Sequence, residues 1–239
     1  MLAPAAATID SGDVVVVIPT LNEEESIDDV VREIRQTGVN RIIVADGGST
    51  DATAERAIRA GAEVTDAGRG YGRACLAGTE LAAHDDIIVF MDGDGADDPQ
   101  SIAAMVSPIQ AGAHDFVIGS RVRGEREPAS MAWHQVGAGL LAGLGIRALY
   151  GVRYTDMGAF RAIRRSTLMR LGMRELTYGW NIEMQMRAAR SGLRILEIPV
   201  PYRRRTGGFS KVAGSLRGTI KAGSRIVATF VRVYMQPAS

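Results

Sequence analysis

The chain has 239 residues, 46% of them hydrophobic and 23% charged, which is ordinary for a soluble globular protein and long enough for one domain with a real core. Its single cysteine, Cys75, excludes an internal disulfide, fits a reducing compartment and reads as a small buried hydrophobe rather than a nucleophile. The net charge of +1 hides an asymmetry: from Ile198 onward there are 8 basic residues and no acidic one, which leaves the first 197 residues at −7. An acidic body with a basic tail points to a tail that meets an anionic surface, and the acidic body with few aromatics argues against nucleic acid as that surface.

Residues 1–13 are Ala-rich, lack a basic-then-apolar leader pattern, and read as a disordered lead-in. Val14 to Ile18 is a β-branched run ended by Pro19; Asn22 is then placed to cap a helix carrying Ile27, Val30, Val31 and Ile34, with Glu25 closing a capping box. Arg41 to Ala45 predicts a second strand, followed by Asp46-Gly47-Gly48-Ser49-Thr50-Asp51 and a helix over about 52–60. Ala62 to Thr65 is a short third strand. Gly68-Arg69-Gly70-Tyr71-Gly72-Arg73 then forms a glycine-rich turn opening a helix with Ala74, Ala77 and Leu81.

Ile87 to Met91 is a continuous apolar run, read as a buried strand, and the turn after it carries Asp92, Asp94, Asp97 and Asp98 within seven residues. Crowded carboxylates repel unless a cation holds them, and hard oxygen ligands suit Mg²⁺ or Mn²⁺ bridging to a diphosphate. The competing reading is a solvated acidic turn that caps the helix starting near Pro99. Ile102, Met105, Val106 and Ile109 mark that helix, and Asp115 to Gly119 returns as a strand. Strands alternating with helices predict a doubly wound α/β domain with a mainly parallel sheet, and every acidic or glycine-rich signal so far follows a strand, so all fall on one sheet edge and form one cleft.

Val136 to Leu149 is apolar, with glycines at 137, 139, 143 and 145. At about fourteen residues it is too short to span a bilayer and reads as a buried or interfacial helix. Phe160 to Ile163 predicts a strand, Trp180 to Arg190 a helix, Arg194 to Val200 a strand and Arg203 to Lys211 a basic loop. In the last segment, 211–239, Leu216, Ile220, Gly223, Val227, Phe230 and Tyr234 share one helical face, with Arg217, Lys221, Arg225 and Arg232 opposite. That pattern predicts a basic amphipathic helix, lying on an anionic membrane or packed on the core with its basic face in solvent.

Four features stand in order: Ile18-Pro19-Thr20-Leu21-Asn22-Glu23-Glu24, Asp46-Gly47-Gly48-Ser49-Thr50-Asp51, Arg69-Gly70-Tyr71-Gly72, and Asp92-Gly93-Asp94. Together they resemble the nucleotide-binding half of family 2 glycosyltransferases with the GT-A fold. Downstream, Gly119-Ser120-Arg121, Asp156-x-Gly158-Ala159-Phe160-Arg161 and Tyr202-x-x-Arg205-x-Gly207-Gly208-x-Ser210-Lys211 are similar to the polyprenyl-phosphate branch, which includes dolichol-phosphate mannose synthase. The resemblance spans residues 14–211, so 14–210 is taken as the catalytic domain.

The resemblance implies metal-dependent, inverting transfer of a hexose from a nucleotide diphosphate donor, GDP-mannose or a UDP-sugar, to a polyprenyl phosphate. It places Pro19, Asn22, Glu23, Asp46 and Asp51 around base and ribose, with Arg69, Gly70 and Gly93 completing the donor site. Asp92 and Asp94 would hold Mg²⁺ or Mn²⁺. A phosphate acceptor is already an anion at neutral pH and needs positive charge more than a general base, which makes Arg121, Arg205 and Lys211 candidate clamps beside Ser210. Asp97 and Glu183 are candidate helpers, Glu183 equally an ion-pair anchor of its own helix. Many relatives carry Asp at the position of Gly47 and Gln at that of Ala96, so base selection and the metal sphere depart from the pattern here. The expected setting is cytoplasmic, peripheral to the inner face of the membrane. Two rivals are a same-fold transferase with a soluble sugar or small-alcohol acceptor, and a non-catalytic nucleotide-binding membrane adaptor.

Overall fold

The computed structural model of the chain describes residues 11–84, 86–207 and 216–236. Seven strands form one sheet in the order β3-β2-β1-β4-β6-β5-β7. Its centre is β1 (Val14–Thr20), whose β-branched residues are buried along the whole strand, as a strand covered on both faces requires. β1 runs parallel to β2 (Arg41–Asp46), bringing Thr20 opposite Asp46, and parallel to β4 (Ile87–Phe90). β3 (Glu63–Asp66) extends the parallel set beyond β2. The C-terminal ends of these strands therefore open onto one edge, as the order of the loop motifs predicts.

The other half of the sheet departs from a purely parallel arrangement. β6 (Arg161–Arg164) lies antiparallel between β4 and β5 (Phe116–Ser120), and β7 (Ile195–Pro199) pairs in parallel with β5. On one face α1 (Ile27–Gln36), α2 (Thr53–Ala60) and α4 (Ile102–Gln110) bury Ile27, Val31, Ile34, Ala57 and Met105 against Val16, Ile18 and Val44. On the other, α3 (Tyr71–Leu81), α5 (Trp133–Tyr150), α6 (Arg165–Leu171) and α7 (Trp180–Arg190) pack Cys75, Ile146, Leu168, Trp180 and Met184 on Val17, Phe90 and Phe116. Each large apolar side chain so enclosed contributes about 1.5–3 kcal/mol. Cys75 is fully buried, as its sequence reading holds, and burial raises its thiol well above the ordinary range.

Two local expectations are corrected, and one element is added. Asn22 is not a helix cap: α1 begins after Ser26 without a side-chain cap, and Asn22 sits in the left-handed region at φ 52, its side chain turned to the neighbouring loop. The short helix α6 is the added element: no side chain caps its start, and Gly172 ends it in the left-handed region. The last helix, α8 (Leu216–Met235), turns a face toward the body that differs from the one its apolar spacing predicts. Thr229 and Val233 are buried and Phe230 half-buried, whereas Val227 (63% exposed) and Tyr234 (58%) face outward. Arg225 and Arg232 turn toward Glu175 rather than away, because the body offers a buried carboxylate there. Among the described residues no helix is long and apolar enough to cross a membrane.

Candidate active site

The loops after β1 and β2 are zipped together by side-chain hydrogen bonds. Asn22 Oδ1 accepts from the Thr50 amide at 2.9 Å, and the Asn22 amide donates to Ser49 Oγ at 2.9 Å. The Glu23 amide donates to Thr53 Oγ1 at 2.8 Å, the Glu24 amide to Asp51 Oδ2 at 3.3 Å, and the Ala52 amide to Glu24 Oε2 at 3.1 Å. Asp46 accepts from the Ser49 amide at 2.9 Å. Burial works against the Asp51 carboxylate, but the bonds from Thr53 and the Glu24 amide outweigh it and hold the group below the usual range. Pro19, Asn22, Glu23, Asp46 and Asp51 thus share one rim, and Asn22, Glu23, Asp51 and Gly207 line a small pocket in it.

Next to this rim lies the acidic turn after β4. Asp94 is 5% and Asp97 4% exposed. The Asp92 amide donates to Asp97 Oδ2 at 3.3 Å, the Ala96 amide to Asp94 Oδ1 at 3.0 Å, and Ser26 Oγ to the Gly93 carbonyl at 2.7 Å. Burial, then the charges of Asp94 and Asp97, push the Asp92 carboxyl up to about 8; burial and Asp94 push Asp97 up to about 7. The turn therefore favours a cation. Asp98 is spent otherwise: it accepts from the Gln100 amide at the start of a 3₁₀ turn (Pro99–Ser101) and pairs with Arg203 at 2.8 Å, so the capping reading holds for that one carboxylate.

Among the described residues no cluster of three or more His, Cys, Asp or Glu side chains is placed to hold a metal alone. Asp92 and Asp94 fit a hard divalent ion whose remaining positions are filled by water and ligand phosphate oxygens. The guanidinium of Arg205 lies 3.0 Å from one Asp94 oxygen, so this carboxylate already takes a cation.

A strap of residues 202–207 crosses this turn. Tyr202 makes an antiparallel bridge to Asp97, the Arg203 amide donates to the Ala96 carbonyl at 2.8 Å, and the Thr206 amide to the Asp94 carbonyl at 3.0 Å. Gly95, at φ +77, lets Thr206 press against the turn. Of the three consecutive arginines, Arg203 pairs with Glu33 and Asp98, and Arg204 donates to Pro128 at 2.6 Å. Arg205 alone of the three reaches a metal-type carboxylate, with Nη2 3.0 Å from Asp94 Oδ2, while its Nη1 lies 2.9 Å from Glu23 Oε2 of the rim.

Arg121 leaves the end of β5 and is held by Asp156, Nε to Oδ2 and Nη2 to Oδ1 both at 2.8 Å, with its guanidinium 5.0 Å over the Tyr202 ring. Asp156 is fixed in turn by Glu197 on β7, which accepts from the Thr155 and Asp156 amides at 2.9 and 3.2 Å. Arg121 is thereby set rigidly behind the strap. Gly70 and Gly72 hold the start of α3 against the chain before α7: a Cβ on either would run into the carbonyl of Leu176 or Glu175. Arg69 beside them is exposed.

Glu183 is fully buried and engaged away from the turn, accepting from the Arg174 and Glu175 amides at 3.0 and 2.6 Å and from Arg187 Nε at 2.9 Å. Of its two sequence readings, these partners match the ion-pair anchor. Ser210 and Lys211 lie outside the described residues. Residues that the sequence reading left out are the tethers Ser26, Ser49 and Thr53, the Arg121 partner Asp156, and Tyr202. Asp156 stood in a quoted Asp-x-Gly motif, and that motif was the available signal.

A family model described as Glycosyl transferase family 2 matches residues 15–172. An uncharacterized glycosyltransferase of Mycobacterium bovis is 39% identical over 216 residues, covering 89% of this chain and 95% of that protein. The polyprenol monophosphomannose synthase of Mycolicibacterium smegmatis is 30% identical over 215 residues, 84% of this chain and 81% of that one. Among solved structures, the glucosyl-3-phosphoglycerate synthase of Mycobacterium tuberculosis in complex with Mn²⁺, uridine diphosphate and phosphoglyceric acid superposes with a TM-score of 0.73 at 25% identity, over 95% of this chain and 80% of that chain.

Proposed function

The chain belongs to glycosyltransferase family 2, and from that membership we propose that it moves a hexose from a nucleotide diphosphate donor to the phosphate of a polyprenyl carrier, with inversion. The observation that carries the reading is the meeting of Asp92, Asp94 and Asp97 with Arg205 at the C-terminal edge of the sheet, beside a rim zipped from two loops. The rim formed by Asn22, Glu23, Asp46 and Asp51 receives the base and ribose. Asp92 and Asp94 hold Mg²⁺ or Mn²⁺, which when bound supplies a Lewis acid for the charge that develops on the departing β-phosphate. Arg205, with its two-pronged guanidinium, binds phosphate oxygens, and Arg121 adds fixed positive charge behind it. A dianionic acceptor phosphate needs no proton removed, so no carboxylate base is assigned.

Similarity to a polyprenol monophosphomannose synthase supports the lipid acceptor. So does an apolar surface where α5 and α8 meet. Phe230 packs over Gly145; Leu141 lies one turn before that glycine, and Val227 and Tyr234 lie one turn either side of Phe230. Leu141 is 72% exposed, so these side chains border the contact as a patch open to the outside. This face, which carries Val227 and Tyr234 of the apolar stripe of α8, is assigned to the membrane interface.

A second reading, a soluble phosphorylated acceptor, is favoured by the likeness to glucosyl-3-phosphoglycerate synthase. An acceptor hydroxyl needs a base, and with Glu183 committed to Arg187 that role falls to Asp97. Side-by-side transfer assays with a short polyprenyl phosphate and with 3-phosphoglycerate separate the two. Label in the lipid is expected; label in the soluble acid alone would replace the first reading with the second.

A further inference from the structure

We propose that Arg205 is the resident counter-cation of the acidic turn, and that the divalent ion enters by exchange with it. The guanidinium forks between two carboxylates from different loops: Nη2 lies 3.0 Å from Asp94 Oδ2, and Nη1 lies 3.0 and 2.9 Å from the two oxygens of Glu23. Asp94 and Glu23 are 5% and 8% exposed, so a positive charge beside them offsets part of the cost of burying two anions. A guanidinium at that distance puts its positive charge where a metal bound to the same oxygen would sit, and the two cations repel.

The strap permits the exchange. It is fixed to the turn through backbone, by the Thr206 amide on the Asp94 carbonyl and the Arg203 amide on the Ala96 carbonyl, and Arg203 adds ion pairs to Glu33 and Asp98. None of these holds depends on the Arg205 side chain. The Arg205 side chain is a quarter exposed, so its guanidinium can leave Asp94 while the strap stays and the Glu23 contact acts as a pivot. Freed from Asp94, the fork has two N–H groups for phosphate oxygens that arrive with the ion. Arg205 then offsets negative charge in the turn before the ion binds and clamps phosphate afterwards. This rests on the reading of Asp92 and Asp94 as the metal pair.

The test is Mn²⁺ binding to the full chain without nucleotide, followed by the electron paramagnetic resonance signal of free Mn²⁺. Arg205→Gln is expected to bind Mn²⁺ about tenfold more tightly than the unaltered protein, the size of one charge-assisted hydrogen bond. Arg205→Lys, which keeps the charge, should stay near the unaltered value. If Arg205→Gln binds no more tightly, or does not bind at all, the exchange is wrong. Asp94→Asn in the Arg205→Gln background separates the failures: retained tight binding would mean that the ion sits elsewhere and the metal reading fails too. Loss of binding in Asp94→Asn without tightening in Arg205→Gln would remove the exchange alone. In the unaltered protein, the Arg Nε–H resonance that disappears in Arg205→Lys should shift on saturation with Mg²⁺; an unmoved signal would also overturn the proposal.

Discussion

Arg121 grips Asp156 through two parallel hydrogen bonds, both 2.8 Å, while its plane lies over the Tyr202 ring. Asp156 is nearly fully buried, and although burial alone would raise its carboxyl pKa, the Arg121 bonds pull it below the ordinary value. Asp156→Asn leaves a buried guanidinium without its partner and should cost about 3 kcal/mol in urea unfolding. A carboxyl with a lowered folded pKa stabilises above its unfolded value of about 4 and loses that contribution as pH falls through the folded one. The unaltered protein should therefore lose stability below about pH 4. The gap between it and Asp156→Asn should narrow there; a constant gap would mean that the loss is steric.

Gly70 and Gly72 allow α3 to start against the carbonyls of Leu176 and Glu175, and Gly70 also sits at φ +135. Gly70→Ala adds both a backbone collision and an unfavourable conformation, and a destabilisation of about 2–3 kcal/mol is expected by denaturant titration. Gly48→Ala is the control, since a Cβ there meets open space and only its φ of +83 is at odds with a side chain. Its cost should be about 1 kcal/mol. Equal costs at the two sites would place the Gly70 effect in conformation rather than packing.

Glu175 joins α8 to the body. It is 1% exposed and accepts from Thr229 Oγ1 at 3.1 Å, Arg232 at 2.9 Å and Arg225 at 3.3 Å. Glu175→Gln should weaken docking of α8 by about 2 kcal/mol, less than a wholly buried pair because both arginines are partly in solvent. Hydrogen exchange at the amides of residues 223–235 should quicken roughly 30-fold while β1 and β4 keep their protection. Uniform loss of protection would instead make Glu175 a support of the whole fold.

The patch around the Phe230–Gly145 contact predicts the behaviour of charged substitutions. Leu141→Glu and Val227→Glu leave the core untouched, since both side chains face outward. Each should lower partition onto anionic phospholipid vesicles about tenfold in a sedimentation assay, with the melting temperature unchanged. Unaltered partition in both would remove this face from any membrane contact.

Legibility followed the kind of signal. The strand-and-loop order from Val14 to Ser120, and the helix Trp180–Arg190, were readable because apolar runs and turn residues are local. The antiparallel placement of β6 was not, because Phe160 to Ile163 reads as a strand in either direction and its direction is set by neighbours far away in sequence. Asn22 looked like a cap because its type and place fit one, yet its partner is Thr50 in another loop. The spacing of α8 gave its length and its two faces but not which face turns inward, since the buried Glu175 that attracts Arg225 and Arg232 lies about 50 residues earlier. At the site, residue types were legible and their pairing was not: Arg121, Arg203 and Arg205 look alike in sequence, and only geometry gives them different carboxylates.

The central claim is metal-assisted hexosyl transfer at Asp92 and Asp94, and transfer from a panel of radiolabelled uridine and guanosine diphosphate sugars to a short polyprenyl phosphate in detergent tests it most directly. One donor should give a lipid-linked product with Mn²⁺ or Mg²⁺, none with chelator, and about 100-fold less or lower still with Asp94→Ala. A lipid-linked product formed at full rate in chelator, or undiminished in Asp94→Ala, would contradict it.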